Sequence, residues 1–374
     1  MDAYSVTPEG EKIPLPLEED YLKEYHRLEA LATAHKEKGH EIVVVMGLGF
    51  VGAVMAGVVA DSVDRKTATP KKFVIGMQRP SPRSFWKIPF FNRGISPIKA
   101  EDPEVAPMIE RCVKEKKTLT ATFTYDALKL ADILVLDVQC DFIKQDLGDL
   151  RTGYAEIGAL EESFKVIGRK IRPECLVLIE TTVPPGTTDY VAYPIIKKAF
   201  KARGIDSEPL LAHSFERVMP GRDYVRSVRD FWRVCSGTNR ESKEKVVRFL
   251  SEILNVENYP LTVLEKPIES ETCKIVENSY RSTILAFLHE WSLFAETNGV
   301  DLIKVVDAIK VRPTHDNIIF PGPGIGGYCL PKDGGTGVVG RQTPDGIRQR
   351  HLPDHPGGHQ YQRHARTPCG QAGP

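Results

Sequence analysis

Ile42-Val43-Val44-Val45-Met46-Gly47-Leu48-Gly49-Phe50-Val51-Gly52 decides the fold of this chain. Ile42 to Val45 run β-branched and apolar without a break, the pattern of a strand buried on both faces of a parallel sheet. The three glycines after it are spaced G-x-G-x-x-G and open an Ala/Val-rich segment that reads as a helix. Gly47 permits the tight turn, Gly49 lets the backbone approach a pyrophosphate, and Gly52 allows helix and strand to pack closely. The helix amino terminus then faces the phosphates. A purely structural glycine turn would share these letters, but here the strand before and the helix after are both present. Gly47, Gly49, Phe50, Val51 and Gly52 are the first predicted dinucleotide contacts.

Further short apolar runs occur at Phe73–Ile75, Ile133–Val138 and Leu176–Ile179, with Pro209–Ala212 and Trp232–Cys235 as additional candidates. They alternate with helix-like stretches over about 200 residues, which predicts a doubly wound α/β sheet of Rossmann type. The second strand ends Val74-Ile75-Gly76-Met77-Gln78-Arg79. An NAD-binding chain usually carries Asp or Glu there for the ribose hydroxyls. Gln78 can still hydrogen-bond a hydroxyl, and Arg79 can receive a 2′-phosphate or simply face solvent. NAD is the favoured cofactor, with Gln78 and Arg79 among its contacts.

Beyond Pro267 the pattern turns helical. Glu269 to Asn298 is almost free of Gly and Pro and carries apolar residues at 3–4 spacing, so one long helix is predicted, then a second over Asp301–Lys310 capped by the aspartate. Residues 1–40 form a leader whose second half, from Glu18 to Lys38, is charged and Leu/Ala-rich and predicts an amphipathic helix. The expected organisation is thus a leader (1–40), a dinucleotide-binding domain (41–265), a central helical domain (266–333) and an irregular or disordered tail (334–374).

Composition narrows the function classes. The 374 residues hold 50 Lys+Arg against 50 Asp+Glu, with 41% hydrophobic and 27% charged residues, as in an ordinary globular protein. Charge balance argues against a dedicated nucleic-acid binder. No apolar run approaches the roughly 18 residues of a membrane span. The opening MDAYSVTPEGEKIPLPLEED is acidic and lacks a signal-peptide pattern. Seven cysteines lie singly with no CxxC spacing, which fits reduced thiols in the cytoplasm and implies no metal site.

Three stretches carry the chemistry. Glu180-Thr181-Thr182-Val183-Pro184-Pro185-Gly186-Thr187-Thr188 comes directly after a strand, where doubly wound sheets bind ligands, although a helix-capping Thr before a proline turn reads the same way. Lys274 and Asn278 are spaced i, i+4 on the long helix, so they share one face. That pair could stabilise an anionic oxygen or position a water, or it could line a solvated face. The third stretch is Gly322-Pro323-Gly324-Ile325-Gly326-Gly327-Tyr328-Cys329-Leu330-Pro331-Lys332-Asp333. Its glycines let backbone N–H groups crowd a ligand, and Cys329 comes next, with Lys332 and Asp333 beside it. A thiolate near a cation is a good covalent nucleophile.

Taken together these motifs resemble the UDP-glucose/GDP-mannose dehydrogenase family of nucleotide-sugar 6-dehydrogenases, from Glu41 to about Gly335. Five motifs stand in the family's order: GLGFVG, ETTVPPGTT, FERVMPG, E-x-x-K-x-x-x-N over Glu271–Asn278, and GPGIGGYCLPKD. The resemblance implies oxidation of the C6 alcohol of a UDP-sugar, of the N-acetylhexosamine or glucose type, to the uronic acid. Two hydride transfers to NAD bracket a thiohemiacetal and a thioester on Cys329. It further implies that Lys274 and Asn278 stabilise the oxyanion, with Lys274 close to the first proton transfer. Thr182 and Asp333 would hold the water, Glu216 would be the acid/base, and Thr182 and Lys332 would also touch the cofactor. A homodimer built on the central helix is implied as well. ERVMPG, with Pro220 in place of a second glutamate, resembles the branch acting on UDP-N-acetylhexosamines. Phe215, His289 and Tyr328 depart from the residues usual at their positions.

The family's third, Rossmann-like domain, which grips the nucleotide diphosphate, has no counterpart after Gly335. Gly334–Pro374 contains nine Gly, five Pro, five Arg and four His but no Lys, Glu, Phe, Trp or Met. Such a segment cannot build a packed core. It reads as a disordered tail or, given how abruptly Lys and Glu vanish, as a changed reading frame, and cofactor binding with little turnover is the expectation for such a chain. Two other readings stay open: a two-electron β-hydroxyacid dehydrogenase, which also sets Lys and Asn at i, i+4 on a helix, and a non-catalytic NAD-binding dimer.

Overall fold

The structure, a computed structural model, describes residues 4–143, 154–219, 221–325 and 329–336, with 334–336 described by their backbone alone. Pro220, Tyr328 and the tail from residue 337 lie outside the described residues. The chain divides into two compact units. The first comprises Met1–Gln139, Gly158–Thr181 and Gly186–Ser270, and the second Cys140–Ile157, Thr182–Pro185 and everything from Glu271.

In chain order the first unit opens with a hairpin, β1 (Tyr4–Val6) and β2 (Lys12–Pro14), and helix α1 (Glu18–Glu37). Next come β3 (Glu41–Met46), α2 (Phe50–Asp61), β4 (Lys72–Met77), α3 (Lys87–Asn92), α4 (Val105–Lys114), β5 (Leu119–Thr122) and β6 (Ile133–Leu136). A second hairpin, β7 (Asp141–Ile143) and β8 (Tyr154–Glu156), belongs to the second unit. The first unit resumes with α5 (Gly158–Lys170), β9 (Leu176–Ile179), α6 (Tyr193–Ala202), β10 (Leu210–His213), α7 (Tyr224–Arg229), β11 (Val234–Gly237), α8 (Arg240–Ile253) and β12 (Thr262–Val263). The last helices are α9 (Pro267–Asn298), α10 (Leu302–Lys310) and α11 (Leu330–Thr336).

The main sheet has the order β12-β11-β10-β9-β6-β3-β4-β5. From β5 to β10 every pairing is parallel, and β11 turns antiparallel to β10. The six parallel strands therefore adopt the 3-2-1-4-5-6 order of a Rossmann sheet, with the reversal point between β3 and β6. Val43 pairs with Val74 on one side and Ile133 on the other, which centres the glycine loop on this crevice. Ile42 to Val45 are fully buried, and each such side chain is worth about 1.5–3 kcal/mol. Helix α2 is buried all round from Gly52 to Ala60, which is why its sequence lacks an amphipathic stripe.

The leader is packed. Leu28, Ala32 and His35 of α1 are buried, and the His35 ring stacks on Phe73 of β4 at 4.0 Å and 11°. That burial, helped by the charges of His40 and Lys38, lowers the His35 imidazole to about 4. The Arg27 guanidinium donates to Thr120 Oγ1 and the Ala121 carbonyl of β5, both at 3.3 Å. Asp301 caps α10, accepting from the Lys304 amide as its sequence position implies. Helix α11 extends through Thr336, so residues 334–336 are helical rather than irregular.

Candidate active site

The glycine loop fits the phosphates of a dinucleotide. Gly47 has φ +111°, and a Cβ on it would stand 2.6 Å from the Asp137 carbonyl oxygen. A Cβ on Gly52 would stand 1.9 Å from the Gly47 carbonyl oxygen, so no side chain fits at either position. Above Gly49 nothing lies within 4 Å, leaving an open approach to the amino terminus of α2. Phe50 stacks on Tyr224 at 4.8 Å, and the Tyr224 hydroxyl donates to the Phe50 carbonyl at 2.7 Å, fixing the first helical turn. The Leu48 amide donates to Gln78 Oε1 at 3.0 Å, so the Gln78 carboxamide oxygen ties β4 to the glycine loop. Arg79 is exposed beyond it.

Behind this loop lies a group of acids that the motifs did not single out. Asp137 comes just after β6, Glu180 just after β9, and Arg233 just before β11. Glu180 and Arg233 are almost wholly buried and form an ion pair through Arg233 Nη2 and Glu180 Oε1. Asp137 Oδ2 and Glu180 Oε2 have no donor among the described residues. Burial first, and then the facing carboxyls of Glu180 and Glu216, push Asp137 well above the usual carboxylate range. Glu180 is raised too, chiefly by burial, and a single proton shared between the two acids would relieve their repulsion. Asp137 lies against the glycine loop, its Oδ2 3.1 Å from where a Cβ on Gly52 would stand, so such a proton would also lower the negative charge there. Glu216 borders the same cluster in the first unit, its Oε2 accepting from the Val218 amide at 2.5 Å.

The second unit collects the remaining predicted residues. Asn278 Nδ2 donates to Asp333 Oδ2 at 2.6 Å, bringing α9 against α11. Asp333 Oδ1 accepts from Lys332 Nζ at 2.9 Å, and the same ammonium donates to the Cys140 carbonyl at 3.2 Å. Ser282 Oγ adds a bond to the Leu330 carbonyl at 3.2 Å. The first turn of α11 closes on Cys329, whose carbonyl accepts the Lys332 and Asp333 amides at 3.0 and 2.9 Å. Lys274, one turn before Asn278, is buried, as are Lys332 and Asp333, and so is Thr182 in its own segment of this unit. The solvated-face reading of Lys274 and Asn278 therefore fails.

Cys329 is exposed at the head of this network. Other cysteines differ. Burial pushes the Cys112 and Cys175 thiols up to about 12 and those of Cys140 and Cys235 up to about 11, so they stay protonated and unreactive.

A 3-2-1-4-5-6 sheet with a glycine cradle at its reversal point and a cysteine set in a buried Asn-Asp-Lys network defines a dinucleotide-dependent oxidoreductase architecture. The chain belongs to the UDP-glucose/GDP-mannose dehydrogenase family, whose NAD-binding domain matches residues 41–255 and whose central domain matches residues 268–336. The glycine cradle falls within the NAD-binding match. The chain is 27% identical over 302 residues to UDP-N-acetyl-D-mannosamine dehydrogenase of Pyrococcus horikoshii, a match covering 78% of this chain and 62% of the relative. It is 30% identical over 203 residues to the enzyme of the same name from Methanocaldococcus jannaschii, covering 54% of this chain and 43% of the relative. Among solved structures, NDP-N-acetyl-D-galactosaminuronic acid dehydrogenase from Methanosarcina mazei superposes with a TM-score of 0.66 at 28% identity, covering 90% of this chain and 68% of the other. The match thus spans about three-fifths or less of these curated relatives' length. No described helix is long and apolar enough to cross a membrane.

Proposed function

We propose that this chain is a nucleotide-sugar 6-dehydrogenase that oxidises the C6 alcohol of a UDP-N-acetylhexosamine to the carboxylate. The network joining Asn278, Asp333 and Lys332 behind the exposed Cys329 carries this reading. A simple alcohol dehydrogenase needs no thiol, whereas an alcohol-to-acid oxidation must hold its aldehyde while a second hydride leaves. NAD supplies the hydride acceptor for each of the two steps. The Cys329 thiolate adds to the C6 aldehyde, giving a thiohemiacetal whose oxyanion faces the Lys274 ammonium and the Asn278 amide. Loss of the second hydride leaves a thioester. Water held by Asp333 and Thr182 hydrolyses it, releasing the acid and restoring the thiol. Glu216 serves as acid/base for the proton released at the alcohol.

Relatives named for UDP-N-acetyl-D-mannosamine support the choice of sugar over UDP-glucose. Two equivalents of reduced cofactor per sugar consumed are expected. One equivalent, with an aldehyde or ketone as product, points instead to a two-electron β-hydroxyacid-type dehydrogenase.

The same reading makes the protein a homodimer. Val276, Tyr280, Phe287, Trp291 and Phe294 lie along one face of α9, all exposed in the single chain. An apolar stripe of that length marks an interface. Sedimentation is expected to show a dimer that Trp291→Glu converts to monomer. The exposed thiol suits a reducing, cytoplasmic setting.

A further inference from the structure

We propose that the adenosine end of the cradle accepts a 2′-phosphate, so that this chain binds NADP at least as tightly as NAD, with Arg79 and Arg83 holding the extra phosphate. The proposal rests on the dinucleotide cradle and is independent of the sugar.

Three observations carry it. First, no acidic residue occurs from Gln78 to Ala100, the stretch that follows the second strand, and Arg79 and Arg83 stand in its first six residues. A carboxylate after the second strand hydrogen-bonds the ribose hydroxyls in NAD sites, and its charge repels a 2′-phosphate. Here no such carboxylate follows the strand. Second, the neutral residue in its place is already committed. Gln78 Oε1 accepts from the Leu48 amide at 3.0 Å, and Gln78 Nε2 donates to Ser84 Oγ at 3.4 Å. Both of its polar atoms are thus engaged in holding the loop and the turn, and, being neutral, the side chain does not repel a 2′-phosphate.

Third, the turn after Gln78 is folded so that its two arginines remain available. Ser84 Oγ donates to the Arg79 carbonyl at 3.2 Å and meets Ser81 Oγ at 2.7 Å, while the Ser84 and Phe85 amides donate to the Ser81 carbonyl at 3.1 and 3.0 Å. The turn is thus pinned both to itself and, through Gln78, to the glycine loop. Arg79 and Arg83 are exposed on it, and neither guanidinium has an ion pair or hydrogen bond among the described residues. Two guanidinium groups on a fixed turn beside the cradle suit a phosphate dianion, which arginine binds in bidentate fashion.

Titration calorimetry on the purified chain with NAD+ and NADP+ tests this without requiring turnover. NADP+ is expected to bind as tightly as NAD+ or more so, and 2′,5′-ADP to bind where 5′-AMP binds weakly. Arg83→Ala, at an exposed position outside the predicted NAD contacts, is expected to weaken NADP+ by about tenfold and leave NAD+ within about twofold, as for loss of one charge-assisted phosphate contact. Arg79→Ala should weaken NADP+ at least as much. NAD+ binding tenfold tighter than NADP+, or an Arg83→Ala variant that weakens both equally, overturns the proposal while leaving the NAD site intact. Failure of both dinucleotides to bind overturns the proposal and the reading of the cradle together.

Discussion

The two glycine-rich loops of this chain look alike in sequence and are built for different reasons. At Gly47 and Gly52 the backbone is closed so tightly on itself and on Asp137 that any side chain would collide with a carbonyl oxygen. At Gly322 an added Cβ would meet nothing within 4 Å. Glycine in the first loop is a packing requirement, and the loop binds because its backbone is bare. In the second, the fixed geometry comes from the short helix α11, whose Asp333 and Lys332 are buried against Asn278 and the Cys140 carbonyl. One loop presents backbone, the other leads to side chains on a polar scaffold. Binding and chemistry should therefore fail separately.

The sharpest way to break that comparison is to add one methyl group to each loop. Gly52→Ala is expected to abolish NAD binding and to cost about 4–5 kcal/mol of stability, because backbone and not a flexible side chain stands in the way. Gly322→Ala is expected to change stability by no more than about 0.5 kcal/mol. Denaturant melts and calorimetry check both, and equal effects would erase the distinction.

Next in size is Asp333→Ala. It leaves the buried Lys332 ammonium without its adjacent carboxylate and frees Asn278, at an expected cost of about 3 kcal/mol, with NAD binding to the first unit retained. Loss of NAD binding on this substitution would show that the two loops are energetically one site.

The smallest effect concerns Asp137. Its carboxyl is pushed well above the ordinary carboxylate range in the fold, so the stability that it contributes is greatest at acidic pH and declines as pH rises from the ordinary carboxylate value of about 4 towards the raised folded one. Asp137→Asn is expected to flatten that decline and to stabilise the protein by about 1 kcal/mol at neutral pH. Urea midpoints across the pH range, compared between the two proteins, measure it; an unchanged slope would remove the shared proton from the account.

Much of the first unit was legible because its signals are local. The buried runs that became β3, β4, β6 and β9 are continuous and β-branched, and the structure moves their ends by no more than two residues. Strand β5 escaped because Leu-Thr-Ala-Thr is short and half polar, and becomes a strand only by pairing with β4. The hairpins β1–β2 and β7–β8 are built of three-residue strands, too short for an alternation or an apolar run to register. The docking of the leader rests on single long-range contacts, such as His35 on Phe73, that no periodicity announces. The acid cluster was invisible for the same reason. Asp137, Glu180, Glu216 and Arg233 come from the ends of different strands and meet only once the sheet is assembled. Asp137 did leave one trace, a charge inside the apolar run Ile133–Val138. On the long helix, spacing put Lys274 and Asn278 on one face, but only the position of Asp333 shows that this face is buried and polar.

The central claim is that Cys329 forms a covalent acyl intermediate. The most direct measurement is peptide mass spectrometry on protein quenched during a single turnover with NAD and a UDP-N-acetylhexosamine. The account predicts the acyl-sugar mass on the peptide containing Cys329, absent in Cys329→Ala, which still binds NAD. Acid formation with no adduct at Cys329, or undiminished acid formation by Cys329→Ala, would contradict it.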